Sequence, residues 1–155
     1  MTQLSILRHS CFADHIVPVG HPERPDRIKA INAMLDQDFG DIPQSECPAA
    51  DTDHLRLVHS DAYIDAIFDA APDSGKISLD GDTHMSPLSL NAALAGAGGA
   101  VEAARQVLTG ESERVFVASR PPGHHAEPEQ AMGFCLFSNA AIAAKYAIST
   151  HGLDR

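Results

Sequence analysis

Two adjacent histidines, His124 and His125, are the residues of this sequence best suited to chemistry. Histidine is the side chain whose ordinary pKa allows it to donate and accept protons near neutral pH. The pair lies between Pro121-Pro122-Gly123 and Gly133-Phe134-Cys135. Because proline fixes one backbone angle, the loop that carries the imidazoles is stiff. The pattern indicates acid–base catalysis.

The loop that carries these histidines is expected to leave a strand and enter a helix. Residues 113–119 are predicted to form a short buried strand, and an alanine-rich helical pattern covers residues 138–150. Catalytic groups of α/β proteins usually lie on loops that follow the carboxyl ends of parallel strands. The position of the histidine pair therefore agrees with a catalytic role.

Apolar spacing predicts an early strand and helix. Residues 4–7 are typical of a first strand. Pro25 suits the first turn of a helix, where its missing N–H is not needed. The buried face of that helix is predicted to hold Ile28, Ile31 and Leu35.

Ser60 is predicted to cap a second helix, because its hydroxyl can accept a bond from the first free N–H groups. The apolar face of this helix is expected to hold Ile64, Ile67, Phe68 and Ala71.

A third helix is predicted to begin at Ser86-Pro87 and to end at Gly110. Residues 95–100 lack bulky side chains, which favours close packing of this helix. Residues 115–118 are apolar without alternation, as in a parallel strand covered on both faces. A last helix runs from Asn139 to a glycine cap at Gly152. This order of strands and helices favours an α/β layered fold.

Composition excludes some classes of function. The chain has 155 residues and a formal charge of −10, which argues against direct nucleic-acid binding because phosphates need a basic surface. No apolar stretch approaches the roughly 18 residues that cross a membrane. Three widely spaced cysteines, Cys11, Cys47 and Cys135, indicate reduced thiols and a cytoplasmic protein.

Four segments, in order along the chain, resemble the zinc-dependent histone deacetylase family, which includes the acetylpolyamine amidohydrolases. They are GHPERPDRI at residues 20–28, LVHSDAYI at 57–64, GDTHMSP at 81–87 and RPPGHHAEPEQAMGFCLFSN at 120–139. Their detail is most similar to class II and bacterial members. Four ordered segments are hard to produce by chance, so the resemblance is specific.

The resemblance implies a three-layer α/β arginase/deacetylase-like fold with a parallel sheet. It also implies hydrolysis of an acetyl-amide on a lysine or a polyamine, with a zinc ion that polarises the carbonyl and acidifies a water. The family's zinc ligands, and a tyrosine that polarises the carbonyl, lie beyond the four segments. Residues 1–155 are therefore expected to be the N-terminal part of a single deacetylase domain, without the metal ligands.

Roles for individual residues follow from the same resemblance. One of His124 and His125 acts as general base on the water, and the other stabilises charge or protonates the leaving amine. The substrate is an acetylated lysine peptide or an acetylpolyamine. No residue of this chain is expected to bind the metal.

The substrate-binding residues implied by the resemblance are Gly133, Phe134, Cys135 and Asp82. Phe134 and Gly133 form one wall of a tunnel for the aliphatic stem, because an aromatic face buries methylene groups well. Cys135 lies beside the acetyl group. Asp82, in a rim loop, binds the substrate backbone.

Each assignment has a structural alternative. For the two imidazoles the alternative is a structural pair that is hydrogen-bonded to backbone carbonyls. For Phe134 and Phe137 it is a place in the apolar core, and for Asp82 it is the capping of a helix N-terminus. A structural role is preferred for Phe137 and for two residues of the other rim loop, His21 and Glu23.

A different class of function also stays open, namely a truncated or non-catalytic module that binds an acyl-lysine or a partner chain. The 155 residues alone are expected to be inactive. Because the strand at residues 115–118 has no predicted neighbour beyond residue 152, the isolated chain is expected to self-associate, to pair with a complementary chain or to be only marginally stable.

Overall fold

A three-stranded parallel sheet supports the histidine loop in the computed structural model, which describes residues 2–154. Its strands are β1 (Ser5–Arg8), β2 (Gln44–Glu46) and, later in the chain, Val115–Ala118, which is numbered β5. The order is β2-β1-β5, with Ile6 of the central strand opposite Gln44 on one side and Phe116 on the other. The loop after β5 therefore leaves the sheet at the carboxyl ends of its strands.

Five α-helices, one 3-10 helix and a two-stranded antiparallel ribbon complete the described residues. The ribbon pairs β3 (Ile77–Ser78) with β4 (His84–Met85), and the 3-10 helix is Ser10–Ala13. The helices are α1 (Pro25–Asp38), α2 (Thr52–Arg56), α3 (Asp61–Ala70), α4 (Ser89–Leu108) and α5 (Asn139–His151). None of the helices within residues 2–154 is long and apolar enough to cross a membrane.

Two clusters of buried side chains form the core. The first surrounds the sheet and joins β1 to helices α1 and α4; its members include Ile6, Leu7, Phe12, Ile28, Leu35, Ala92 and Ala95. The second lies between helices α3, α4 and α5; its members include Ile64, Ile67, Ala93, Ala97, Leu136, Phe137 and Ile142. Burial of such apolar area is the main term that stabilises the fold.

Glycines in α4 allow that helix to approach the chain that leaves β2. A Cβ atom on Gly99 would lie 2.6 Å from Sγ of Cys47, and one on Gly98 would overlap the carbonyl oxygen of Pro48. The prediction that residues 95–100 suit close packing is confirmed.

Most predicted elements are present. Helix α1 begins at Pro25, Ser60 accepts a bond from the N–H of Tyr63 at the start of α3, and Gly152 ends α5 with a φ of 66°. The first strand, predicted at residues 4–7, lies one residue later. Phe68 is 39% exposed, so its predicted place on the buried face of α3 is wrong.

The predicted start of the third helix at Ser86-Pro87 is wrong, because α4 begins at Ser89. The hydroxyl of Ser89 accepts a bond from the N–H of Ser86 at 2.7 Å, so residues 86–88 form a separate turn. Proline suits that turn as well as it suits a helix start, which is why the sequence pattern did not distinguish them.

Strand β5 departs from its prediction as well. Ala118 is buried, but Phe116 is 46% exposed, so the strand is not covered on both faces along its length. Within residues 2–154 it pairs only with β1, which leaves its other edge without a neighbouring strand.

Candidate active site

The loop between β5 and α5 brings most of the predicted site residues to one cleft of about 640 Å³. The imidazole rings of His124 and His125 lie 4.2 Å apart between centroids, at 46° to each other, and both residues are exposed. The cleft is lined by Arg27, Asp80, Asp82, Pro122, His124, His125, Gln130, Met132, Gly133 and Phe134.

Cys135 lies behind the cleft and holds the backbone of the histidine pair. Its sulfur accepts bonds from the N–H groups of His124 and His125, both at 3.4 Å, and its thiol donates to the carbonyl of Gly133 at 3.3 Å. The side chain is fully buried and does not line the cleft. Its predicted contact with an acetyl group stays a prediction.

Gly133 and Phe134 occupy the two central positions of a tight turn. Met132 and Cys135 exchange backbone bonds of 3.2 and 3.0 Å, and φ is 57° at Gly133 and 70° at Phe134. A Cβ atom on Gly133 would lie 2.7 Å from the Cβ of His125. Glycine is required there by both the backbone angle and the space.

His21 joins two loops at the rim of the cleft: the first rim loop, residues 20–24 before α1, and the second rim loop, residues 79–83 between β3 and β4. Its Nδ1 accepts a bond from the N–H of Glu23 at 3.1 Å, so the proton is on Nε2, which donates to the carbonyl of Asp82 at 2.9 Å. The ring meets that of Phe134 edge-on, with centroids 4.8 Å apart. These contacts agree with the structural role preferred for His21.

Two carboxylates shape the second rim loop. Oδ1 of Asp80 accepts bonds from the N–H groups of Asp82 at 2.9 Å and Thr83 at 2.6 Å. Burial raises the pKa of Asp80, but these bonds outweigh it, so the pKa lies below its ordinary value. Asp82 is exposed at the cleft, and α4 begins only at Ser89, so the helix-capping alternative for Asp82 is wrong.

A buried ion pair anchors the first residues of the histidine loop. Nε of Arg120 lies 2.8 Å from Oε1 of Glu23 and Nη2 lies 3.0 Å from Oε2, while Nη1 donates to the carbonyl of Phe12 at 2.6 Å. Arg120 and Glu23 are 3% and 2% exposed. The role preferred for Glu23, shaping the rim loop, agrees with this geometry.

His15 packs against the same pair as a neutral ring. Burial, followed by the charge of Arg120, lowers the pKa of His15 to about 3. Its Nε2 lies 3.7 Å from Oε2 of Glu23, but because the ring is neutral this contact is not an ion pair. Its Nδ1 lies 2.6 Å from Oγ of Ser89.

His59 holds the far half of the loop. Its Nε2 accepts a bond from the N–H of Ser138 at 3.0 Å, so Nδ1 carries the proton and donates to the carbonyl of Pro128 at 3.2 Å. Burial lowers the pKa of His59, although bonds to backbone carbonyls oppose that shift. The ring stacks on Tyr63, whose hydroxyl donates to the carbonyl of Leu136 at 2.6 Å.

Four residues that support the site, Arg120, His15, His59 and Thr83, had no role predicted from the sequence. Arg120 gives the clearest retrospective signal, because a charge that directly follows a buried strand needs a partner. The others are single polar residues without a repeated pattern, and nothing in the sequence connects His59 to Ser138.

No group of three or more His, Cys, Asp or Glu side chains able to hold a metal ion lies within the part of the chain that the structure describes. A metal site is therefore not assigned to these residues. What the cleft offers is a pair of exposed imidazoles beside an aromatic wall and an acidic rim, an arrangement suited to proton transfer on a bound substrate.

The parallel sheet with its flanking helices and this cleft belongs to an α/β protein of the arginase/deacetylase-like fold. In structure, the chain is similar to the crystal structure of the HDA15 HD domain, with a TM-score of 0.89 and 31% identity over 96% of this chain and 44% of that one. Residues 21–155 match the family model of the histone deacetylase domain, so the chain belongs to the histone deacetylase family.

Named relatives agree with that membership. The chain is 40% identical to the histone deacetylase-like amidohydrolase of Pseudomonas aeruginosa, over 88% of this chain and 36% of that protein. It is 38% identical to histone deacetylase 15 of Arabidopsis thaliana, over 92% of this chain and 26% of that protein. The matched part thus spans well under half of the length of either relative.

Proposed function

We propose that this chain supplies the proton-transfer groups and one substrate-binding wall of a deacetylase that hydrolyses an acetyl-amide on a lysine or a polyamine. The observation that carries the proposal is that His124, His125 and Phe134 line one cleft. Membership of the histone deacetylase family and the printed name of the Pseudomonas relative, an amidohydrolase, support amide hydrolysis.

In this proposal the two imidazoles divide the proton transfers. One ring removes a proton from the attacking water, and the other stabilises the developing charge or protonates the leaving amine. The centroid separation of 4.2 Å lets both rings reach the same amide group. Cys135 keeps the two backbone N–H groups fixed, which favours a constant orientation of the rings.

The proposed substrate is a long aliphatic amine that carries an acetyl group. The ring of Phe134 offers an apolar face for the methylene stem, and burial of each methylene is worth about 0.8 kcal/mol. Asp82 is proposed to bind the substrate backbone at the rim, where it is exposed. The nearby Asp80 and the net charge of −10 are compatible with a cationic substrate.

We propose zinc as the metal of the complete domain, since the resemblance implies it. Residues 2–154 hold no group that fits the ion, so no step is assigned to it here. Residues 1–155 are proposed to be the N-terminal part of a single deacetylase domain, and the short coverage of the relatives supports that. Free thiols at Cys11, Cys47 and Cys135 support a reducing, cytoplasmic location.

The alternative function is a non-catalytic module that binds an acyl-lysine or a partner chain. It is favoured by the unpaired edge of β5 and by an adjoining apolar groove lined by Ala100, Ala103, Val107, Val115, Ala143 and Ala147. An exposed strand edge is a site for pairing with another chain. Self-association or binding of a complementary chain is proposed on this ground.

One experiment separates these functions. The 155-residue chain and the complete domain are incubated with an acetyl-lysine peptide and with an acetylated polyamine, and free amine and zinc content are measured. We expect chelator-sensitive turnover in the complete domain, and neither turnover nor stoichiometric zinc in the isolated chain. Binding without turnover in both would favour the non-catalytic module. Zinc-dependent turnover by the isolated chain would refute its proposed inactivity.

A further inference from the structure

Phe134, which forms the aromatic wall of the cleft, has an unfavourable backbone conformation. Phe134 has a φ of 70°, a left-handed region that residues with a side chain rarely adopt. Turns with positive φ at both central residues normally use asparagine and glycine. A phenylalanine there persists only where surrounding contacts hold it.

The second rim loop supplies such a contact. Oγ1 of Thr83 accepts a bond from the N–H of Phe134 at 3.2 Å, across 51 positions of sequence. The N–H of Phe134 points out of its own turn, in which the backbone bonds run between Met132 and Cys135. Without the hydroxyl, this partly buried N–H donor would have no acceptor in the protein.

Thr83 is itself held at every polar atom. Its N–H donates to Oδ1 of Asp80 at 2.6 Å, its carbonyl accepts from the N–H of Leu79 at 2.8 Å, and its hydroxyl donates to Oδ1 of Asp82 at 3.3 Å. The residue is fully buried. These bonds leave the hydroxyl lone pairs directed at Phe134, so the orientation is fixed.

We propose that Thr83 is a positioning residue that fixes the Phe134 wall relative to Asp82 at the rim. One hydroxyl joins the two: it accepts from the N–H of Phe134 and donates to the carboxylate of Asp82. The distance between the aromatic wall and the acidic rim, and with it the choice of substrate, is set through this atom. The assignment of wall and rim to substrate binding rests on the proposed function.

An ordinary core threonine would not have this effect. Valine fills nearly the same volume as threonine but lacks the hydroxyl, so a purely packing role would tolerate Thr83→Val. Serine keeps the hydroxyl and loses only a methyl group. The pair Thr83→Val and Thr83→Ser therefore separates the bond from the packing.

The test uses the 155-residue chain and measures amide hydrogen exchange by NMR. In the unsubstituted chain the amide of Phe134 is expected to be protected. Thr83→Val should raise its exchange roughly tenfold, the change that loss of one hydrogen bond produces, and should weaken the NOE between the rings of Phe134 and His21. Thr83→Ser should retain both the protection of the Phe134 amide and the NOE to His21. The amide of Cys135, which is bonded within the turn, should change little in either variant.

Several results would overturn the proposal. One is an unprotected Phe134 amide in the unsubstituted chain, a measurement that does not depend on whether a variant folds. Another is equal exchange in Thr83→Val, or a uniform rise at all core amides, which would indicate general destabilisation. Failure of Thr83→Ser to restore protection would also count against it.

A ligand titration keeps this proposal distinct from the function. N-ε-acetyl-lysine methylamide is added to each variant, and shifts of the His124 and Phe134 signals are followed. If the probe binds, Thr83→Val should weaken binding and Thr83→Ser should not; equal binding by both would refute the effect on substrate choice. If no probe binds to the unsubstituted chain, substrate binding by these 155 residues alone is refuted, while the exchange data still decide the role of Thr83.

Discussion

Arg120 forms a buried, two-pronged ion pair with Glu23, at 2.8 Å and 3.0 Å, across 97 positions of sequence. Both residues are nearly inaccessible to water, and the third guanidinium nitrogen reaches the carbonyl of Phe12. The pair links the start of the histidine loop to the first rim loop. The position of His124 and His125 therefore depends on a charge pair that neither a helix nor a strand contains.

Removing one partner of this ion pair should strongly destabilise the folded chain. Replacing Arg120 with Met leaves the carboxylate of Glu23 buried and without its main partner, and such changes cost about 3–5 kcal/mol. The expected result is a large fall in the free energy of unfolding, measured by urea denaturation. Arg56→Met, which removes two exposed ion pairs, one with Asp53 and one with Asp61, is the control and should change the free energy of unfolding little.

A second variant tests whether the effect comes from the unpaired charge. Glu23→Gln combined with Arg120→Met removes both charges, so its loss of stability should be smaller than the sum of the two single losses. Additive losses would show that the two side chains contribute separately.

Stability should fall in mildly acidic solution because His15 is buried as a neutral ring. Its pKa is lowered from 6.5 to about 3, so below pH 6.5 the unfolded chain binds a proton that the folded chain does not. This contribution to stability is therefore complete above pH 6.5 and is lost as pH falls toward 3, by about 1.4 kcal/mol per pH unit. The lowered pKa of His59 acts in the same direction.

The contribution of His15 is best measured between about pH 6.5 and about pH 5, since most carboxyl groups titrate below that range. The free energy of unfolding is measured across this window for the unsubstituted chain and for His15→Asn, which cannot titrate. The variant should show a shallower slope. An identical slope would mean that His15 accepts a proton in the folded state.

The fold and the main loop could be predicted because their signals are local. Pro25, Ser60 and Gly152 act on the backbone within one turn of helix, and the sequence around His124 resembles a known family. The start of α4 was misplaced since Ser86-Pro87 suits both a helix start and a turn.

The supports of the site could not be predicted, because each is a contact between distant residues. Arg120 meets Glu23, and Thr83 meets Phe134, only after the sheet and rim loops have formed. No spacing in the sequence connects such partners. The positive φ of Phe134 was equally hidden, since glycine or asparagine is the usual signal for that conformation.

The unpaired edge of β5 should make the isolated chain associate. Phe116 is 46% exposed beside this edge, and unpaired apolar strands are prone to pair with other chains. Light scattering on dilution is expected to show more than monomer, and Phe116→Lys should reduce the association. Phe39→Lys, at a 39% exposed position after α1, is the matched control. A monodisperse monomer with a cooperative thermal transition would contradict the prediction.

The histidine pair should control the rate of reaction rather than binding. In the complete domain, His124→Ala or His125→Ala is expected to lower kcat by about 10²- to 10⁴-fold, the usual contribution of a general acid or base. Zinc content should not change, because neither ring is expected to be a ligand. His54→Ala, outside the cleft on α2, is the control and should retain activity.

Two results would count against these roles. Near-normal kcat in both histidine variants would refute the acid–base assignment. Loss of zinc in either variant would indicate that the substituted ring is a metal ligand.

Phe134 should differ from the histidines in its kinetic effect, because its proposed contact with the substrate stem is made in the ground state as well as during reaction. Phe134→Ala is expected to weaken substrate binding by roughly 1 to 3 kcal/mol, with a higher KM and a smaller change in kcat. The KM of Phe134→Leu should lie between those of the unsubstituted domain and Phe134→Ala, since leucine keeps part of the apolar contact. Phe68→Ala, at a 39% exposed position on α3 away from the cleft, should leave KM unchanged. An unchanged KM in Phe134→Ala would remove Phe134 from the substrate wall, and a fall in kcat as large as that of the histidine variants would place it with the reacting groups instead.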